Sequence, residues 1–192
     1  MNEKEVVRIS KFLSLVLRHK PDVLAVALDK NGWTEVNVLL QRLNETGHNL
    51  TLEELQHVVE TNNKKHFAFD ETGTKIRASQ GHSVNVDLGY PPVSPPDVLY
   101  HGTSEHGLPM ILENGLDKRQ RRHVHLYADA TSAKRVGQRH GKPGVLKIDA
   151  KRMHDDGLLF YVSANGVWLT DRVPPKYIAV LRDPRVRIRR TI

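Results

Sequence analysis

The sequence has no cysteine, few aromatic residues (6%) and no long uninterrupted apolar run. The first absence excludes disulfides and thiolate metal sites. The last excludes a membrane-spanning helix, which needs ~20 apolar residues in succession. The polar start MNEKEVVRIS does not read as a secretory signal, so a cytoplasmic location with no membrane partner is the expectation. Neither the dinucleotide fingerprint GxGxxG nor the phosphate loop GxxxxGK[ST] occurs. Any nucleotide bound here therefore sits in some other cradle.

What is present is positive charge. The 192 residues carry 29 Lys and Arg against 22 Asp and Glu, a net +7, which points to an anionic partner, most simply nucleic acid. Local basic clusters stand at DKRQRRH (117 to 123) and RDPRVRIRR (182 to 190), the second reading as a solvated tail. At 39% hydrophobic and 27% charged, the chain otherwise has the composition of an ordinary globular protein.

The periodicity divides the chain. Val6, Ile9, Phe12, Leu13 and Val16 recur at helical spacing, so residues 5 to 19 form one helix, stopped by Pro21. A turn at NGW precedes a second helix closed by Gly47. Thr51 and Glu54 form a capping box that opens a third. HFAFDETGTKIRAS then alternates as a hairpin. Three helices and a hairpin match the plan of a winged-helix unit, expected over residues 1–86. DLGYPPVSPPD (87–97) carries four prolines and reads as a linker. Beyond it, short β-like runs dominate, interrupted by helical stretches only near 105 to 113 and 130 to 139. The expected fold class is α+β, with a mostly β second lobe over 98–192.

Several stretches could carry chemistry. LVLRHKP ends the first helix on Arg18, His19 and Lys20. The partial negative charge of a helix C-terminus favours each by about 0.3–1 kcal/mol, so capping alone accounts for them, and a bound phosphate is the sharper alternative. In VLYHGTSEHG, Gly102 at a strand-to-helix turn would let a ligand approach the backbone, with Thr103 or Ser104 capping the helix. In RRHVHLYAD, strand alternation puts Arg121, His123, His125 and Tyr127 on one face, and Val124, Leu126 and Ala128 on the core side. The His-x-His pair lacks a clear third ligand, so no metal is expected. NNKKHF presents Lys64, Lys65 and His66 at a strand start, and KIRASQGHS ends the hairpin with Arg77, Gln80 and His82.

Taken in order, SKFLSLVLRHKP, NGW, NNKKHF, IRASQGHS, YHGT, HVHL and NGVWLT resemble the RNA 2′-phosphotransferase family, NAD-dependent enzymes best known for removing the splice-junction phosphate from tRNA. The resemblance implies a winged-helix RNA lobe joined to an NAD lobe related to ADP-ribosyltransferases. It implies a two-step reaction. The RNA 2′-phosphate attacks the nicotinamide ribose of NAD and expels nicotinamide. A ribose hydroxyl then attacks phosphorus, giving RNA 2′-hydroxyl and a cyclic phosphate of ADP-ribose. Many ADP-ribosyltransferases use a late glutamate; the corresponding ANGVWLT (164 to 170) has no carboxylate, which suits a substrate that is itself an anion.

The resemblance also assigns residues. Arg18, His19, His66 and Arg121 fall on a catalytic tetrad, with His66 where the family usually has arginine. His101, Gly102, Thr103, His125, Leu126 and Tyr127 fall on the NAD site, with Arg139 a further candidate. Tyr127 stands where serine is commoner. Lys11, Lys64, Lys65, Arg77 and His82 are the candidate RNA contacts. The expected partner is RNA carrying a 2′-phosphate, and the expected state a monomer. Because His66 weakens the tetrad, an enzyme that stops after the first step is an alternative, as is a non-enzymatic RNA-binding module.

Overall fold

The structure is a computed structural model, described here for residues 1–62 and 64–181; the basic cluster at 182–190 lies outside the described residues. Among these, no helix is long and apolar enough to cross a membrane. The chain divides into two compact units. The first comprises Met1–Pro91 together with two short returns of the chain, Arg119–Arg122 and Ser163–Gly166, and the second comprises the other described residues.

In the first unit, α1 (Glu3–Arg18) opens on a capping box between Asn2 and Glu5 and buries Ile9, Leu13, Val16 and Leu17. A 3₁₀ turn (Pro21–Leu24) follows. Strand β1 (Thr34–Glu35) leads into α2 (Val36–Glu45), which buries Val36, Leu39 and Leu43. Past its end Gly47 takes a left-handed φ of 84°, and the His48 N–H turns back to the Leu43 carbonyl, the closure that glycine permits cheaply. Helix α3 (Leu52–Glu60) starts at the Thr51–Glu54 capping box. Strands β2 (Phe67–Phe69) and β3 (Lys75–Ala78) form the expected hairpin. The turn is braced by Asp70, whose carboxylate accepts the Lys75 N–H at 2.8 Å. β1 pairs antiparallel with β3, giving the sheet order β1-β3-β2. The apolar faces of the helices and sheet meet in one core around Leu13, Leu17, Leu39, Leu55 and Ile76.

The second unit runs β4 (Val98–Ser104), α4 (Leu108–Asn114), β5 (Leu116–Asp117), β6 (Val124–Leu126), α5 (Ala130–Gly137), β7 (Pro143–Asp149), α6 (Ala150–Asp155), β8 (Tyr161–Val162), β9 (Trp168–Thr170), β10 (Arg172–Val173) and β11 (Ile178–Val180). Its sheets are small and antiparallel: β11-β7-β4, β6-β9-β8 and the pair β10-β5. A bridge between Tyr100 and Tyr127, with both N–H···O bonds at 2.8 Å, ties β4 to the end of β6. The core gathers Leu99, Leu126, Leu146, Ile148, Met153 and Phe160.

Three expectations need correction. A further helix, α6, interrupts the second unit; its N-cap is Asp149, whose side chain accepts the Arg152 N–H. Neither Thr103 nor Ser104 caps a helix, because β4 continues through Ser104 and no side-chain cap bond forms there. The alternation drawn from Arg121 to Ala128 fails at both ends. The strand spans only Val124–Leu126, Arg121 belongs with the first unit, Ala128 is exposed, and His125 is buried beside Val124 and Leu126.

Candidate functional site

The first unit collects cations where α1 ends. Arg18 is the last helical residue, half-buried, and its Nη2 donates to the His66 carbonyl at 3.3 Å. That carbonyl also accepts the Ser79 N–H at 2.8 Å. The Arg18 Nε is buried with no hydrogen-bond partner. Burial, followed by the nearby charge of Arg121, lowers the Arg18 guanidinium to about 10 from its usual 12.5. His19, the exposed C-cap residue, sets its Nδ1 2.9 Å from Ser83 Oγ. Its pKa is lowered by desolvation, then by Arg18 and Arg121, so the ring is neutral at neutral pH.

Residues 82–85 hold this cluster together. The Ser83 and Val84 N–H groups donate to the Arg18 carbonyl at 2.9 and 3.3 Å, satisfying an orphan acceptor at the helix end. On the other side the His82 carbonyl accepts the Arg122 N–H at 3.2 Å, and Asn85 Oδ1 accepts from Arg122 Nη1 at 2.9 Å. The segment carrying Arg121 is thereby fixed to the end of α1. The structure thus gathers Arg18, His19 and Arg121, and bonds Arg18 to the backbone of His66. Like charges held this close repel in the absence of an anion, and among the described residues no carboxylate pairs with Arg18.

His82 lies beneath the cluster, 1% exposed, with neither ring nitrogen hydrogen-bonded. Desolvation, then Arg18, His19 and Arg77, lower its pKa from 6.5 to about 4. Its effect on stability has a definite sign. Above pH 6.5 neither folded nor unfolded chain protonates this ring, and there is no cost. As pH falls from 6.5 towards 4, the unfolded chain gains a proton that the folded chain refuses. Stability should drop by about 1.4 kcal/mol per pH unit, ~3 kcal/mol in total, and this contribution levels off below pH 4. Urea unfolding of His82→Gln should be flatter than the parent by that amount in the same window; parallel curves would show that His82 titrates normally.

The candidate RNA contacts separate into two groups. Arg77 is an internal strut: its guanidinium lies 4.4 Å from the Trp33 ring centroid and 5.4 Å from that of Tyr90, and Nη1 donates to the Asn31 and Leu88 carbonyls. Lys11, Lys64 and Lys65 are exposed. Lys11 and Lys64 line an open groove of about 740 Å³ with Ser10, Ser14, His57 and His66, and among the described residues Glu3 is the one carboxylate lining it. The Lys64 carbonyl accepts from Asn165 Nδ2 at 2.9 Å, so the returning segment without a carboxylate braces the strand start that carries His66. Sequence reasoning missed Ser83, Asn85, Arg122 and Asn165. Their types are common in turns, and only the fold shows what they hold.

The second unit brings the NAD candidates together around β4 and β6. His101 Nδ1 lies 3.0 Å from the His125 carbonyl, and the Tyr100–Tyr127 bridge aligns the two segments. Leu126 is wholly buried and His125 nearly so; His101, Thr103 and Tyr127 are half-exposed, and Arg139 is exposed in the turn after α5. The reason for Gly102 differs from the expectation. A Cβ there would lie 1.7 Å from the Ala133 carbonyl oxygen of α5, so the glycine makes room for a helix. The donor set of imidazoles, a hydroxyl, a phenol and an arginine contains no acidic side chain, which fits an anionic dinucleotide. Among the described residues no three metal-ligating side chains cluster.

The first unit thus gathers cations at the end of α1, and the second carries a separate set of polar donors on small antiparallel sheets. Residues 4–172 match the RNA 2′-phosphotransferase, Tpt1 / KptA family. Similar proteins include the "Probable RNA 2′-phosphotransferase" of Rhodopirellula baltica, 54% identical over 92% of this chain and 96% of the relative. Those of Hahella chejuensis and Nostoc punctiforme bear the same name and are 50% and 51% identical, each over 93% of this chain and over 96% and 98% of their own lengths. The chain belongs to the RNA 2′-phosphotransferase family.

Proposed function

We infer that this protein removes a 2′-phosphate from RNA with NAD as co-substrate, the cations of the first unit gripping the phosphate and the groups around β4 and β6 holding the dinucleotide. The observation that carries the reading is the gathering of Arg18, His19 and Arg121 at the end of α1, where among the described residues no carboxylate pairs with Arg18. When bound, NAD supplies the ribose carbon that the phosphate attacks and the hydroxyl that later displaces the RNA. The residues need provide little for the first event. A phosphomonoester is largely dianionic at neutral pH, so the nucleophile needs no general base, and a glutamate beside it would repel it. Arg18 and Arg121 stabilise the charge that builds on the phosphoryl oxygens in the second event, where the guanidinium fork binds phosphate bidentately. His19, whose pKa is lowered by desolvation and by the neighbouring arginines, can take a proton at that centre.

The first unit acts, on this reading, as a winged-helix RNA lobe. The groove at Lys11 and Lys64 takes the strand, and Arg77 and His82 work from beneath by holding the surface in shape. His101, Thr103, Tyr127 and Arg139 bind NAD, with Gly102, His125 and Leu126 setting their positions. Mixing NAD with a 2′-phosphorylated oligoribonucleotide should release one nicotinamide per phosphate lost, and a 2′-hydroxyl oligonucleotide should release none. Equal release from both RNAs would overturn the reading.

His66 supports a quantitative expectation. An imidazole offers the phosphate one hydrogen bond where arginine offers two. His66→Arg should raise turnover by about tenfold, the worth of one charge-assisted hydrogen bond of ~1.4 kcal/mol. Single-turnover rates with unchanged or lower values would remove His66 from this role.

A further inference from the structure

His19 does not stand alone. Its Nδ1 is 2.9 Å from Ser83 Oγ, and Ser83 Oγ is in turn 3.5 Å from the Arg18 carbonyl oxygen. The Ser83 backbone N–H donates to that same carbonyl at 2.9 Å. The hydroxyl is therefore held at a fixed place between a ring nitrogen and a carbonyl. A hydroxyl has one proton to give and lone pairs to receive one. A carbonyl only accepts. If the hydroxyl proton goes to the Arg18 carbonyl, the hydroxyl must accept from His19, whose Nδ1 then carries hydrogen. Each contact then has a proton between its two atoms, the 2.9 Å one a full hydrogen bond and the 3.5 Å one a long, weak contact. If the hydroxyl gave its proton to Nδ1, the second contact would be lost.

We propose that Ser83 is a positioning residue for His19: through the relay from Nδ1–H to the hydroxyl to the Arg18 carbonyl, it fixes the imidazole in the tautomer whose Nε2 bears the free lone pair. The proposal rests on the reading that His19 works on the phosphate. Its consequence is that the nitrogen able to receive a proton is the one turned away from Ser83. The same hydroxyl and N–H bind the helix end that presents Arg18, so Ser83 orients two tetrad members at once. The ordinary partner for such a task is a carboxylate or a backbone carbonyl. A carboxylate here would neutralise the cations that the phosphate needs. A serine backed by a carbonyl orients the ring without adding charge.

Ring-nitrogen NMR on the full-length protein, uniformly ¹⁵N-labelled, tests this without turnover, so it stands or falls apart from the reaction. The His19 signals are assigned by their absence in His19→Asn. At neutral pH the parent should show protonated Nδ1 and bare Nε2. Ser83→Ala should shift His19 towards the other tautomer, while Ser83→Thr, which keeps the hydroxyl, should retain the parent pattern. Ser83→Ala should also lower kcat about tenfold, with KM for RNA within about twofold, and Ser83→Thr should restore it, since one hydrogen bond is at stake. A parent with protonated Nε2, or a tautomer indifferent to Ser83→Ala, would overturn the proposal.

Discussion

Arg18→Ala will lower kcat for 2′-phosphate removal by about 10²- to 10³-fold, the cost of deleting one preorganised donor at a centre of developing charge. Arg18→Lys will recover only part, because an ammonium keeps the charge but not the fork. The fold should tolerate the loss. Arg18 sits half-buried beside Arg121, with its Nε unsatisfied and its pKa lowered to about 10. Holding this cation half-buried therefore costs the folded state stability. Arg18→Met keeps the apolar stem and removes the charge, and its melting temperature should be no lower than the parent's. An inactive variant that is at least as stable marks a group held for chemistry. A variant that is active, or that unfolds several degrees early, would make Arg18 a structural residue.

The second large effect is on stability. Gly102→Ala places a methyl group 1.7 Å from the Ala133 carbonyl oxygen, 2.6 Å from its carbonyl carbon and 3.0 Å from the Gly137 nitrogen. All three are backbone atoms of α5, so no side chain can swing aside. The helix must lift off β4, and overpacking of this kind should cost about 3 kcal/mol. At two to four degrees per kcal/mol for a chain of this size, the melting temperature should fall by roughly 6–12 °C. Calorimetry would settle the point. A variant melting within two degrees of the parent would mean that α5 shifts freely, and that Gly102 is kept for ligand approach after all.

Much of the fold was legible because its signals are local. The apolar spacing along α1, the Thr51–Glu54 box and the alternation about DETGT each depend on neighbours within a few residues. Strand β1 and helix α6 were not, since a two-residue strand has no period and six residues after a strand show less than two helical turns. The alternation through 121–127 misled for a different reason. Parity holds only while the chain stays extended, and the chain enters the strand only at Val124, after Arg121. Gly102 was misread because a glycine announces a close approach without naming what approaches.

The site divides along the same line. Arg18, His19, His66 and Arg121 could be nominated by their resemblance to a family motif, and the structure shows what brings three of them together: the 82–85 segment that bonds to both Arg18 and Arg122. That bracing has no sequence signature. Ser83 and Asn85 are short polar residues beside a buried histidine, and such residues are ordinary in turns.

The central claim is that NAD-dependent loss of an RNA 2′-phosphate occurs at a site built on Arg18 and Arg121. The most direct test is to incubate an oligoribonucleotide bearing one internal 2′-phosphate with the protein, with and without NAD, and to weigh the RNA. With NAD, the mass should fall by one phosphate and the RNA should end as the 2′-hydroxyl form; without NAD it should not change. An RNA that keeps its phosphate in the presence of NAD, or that retains a bound ADP-ribose at the end of the reaction, would contradict the account.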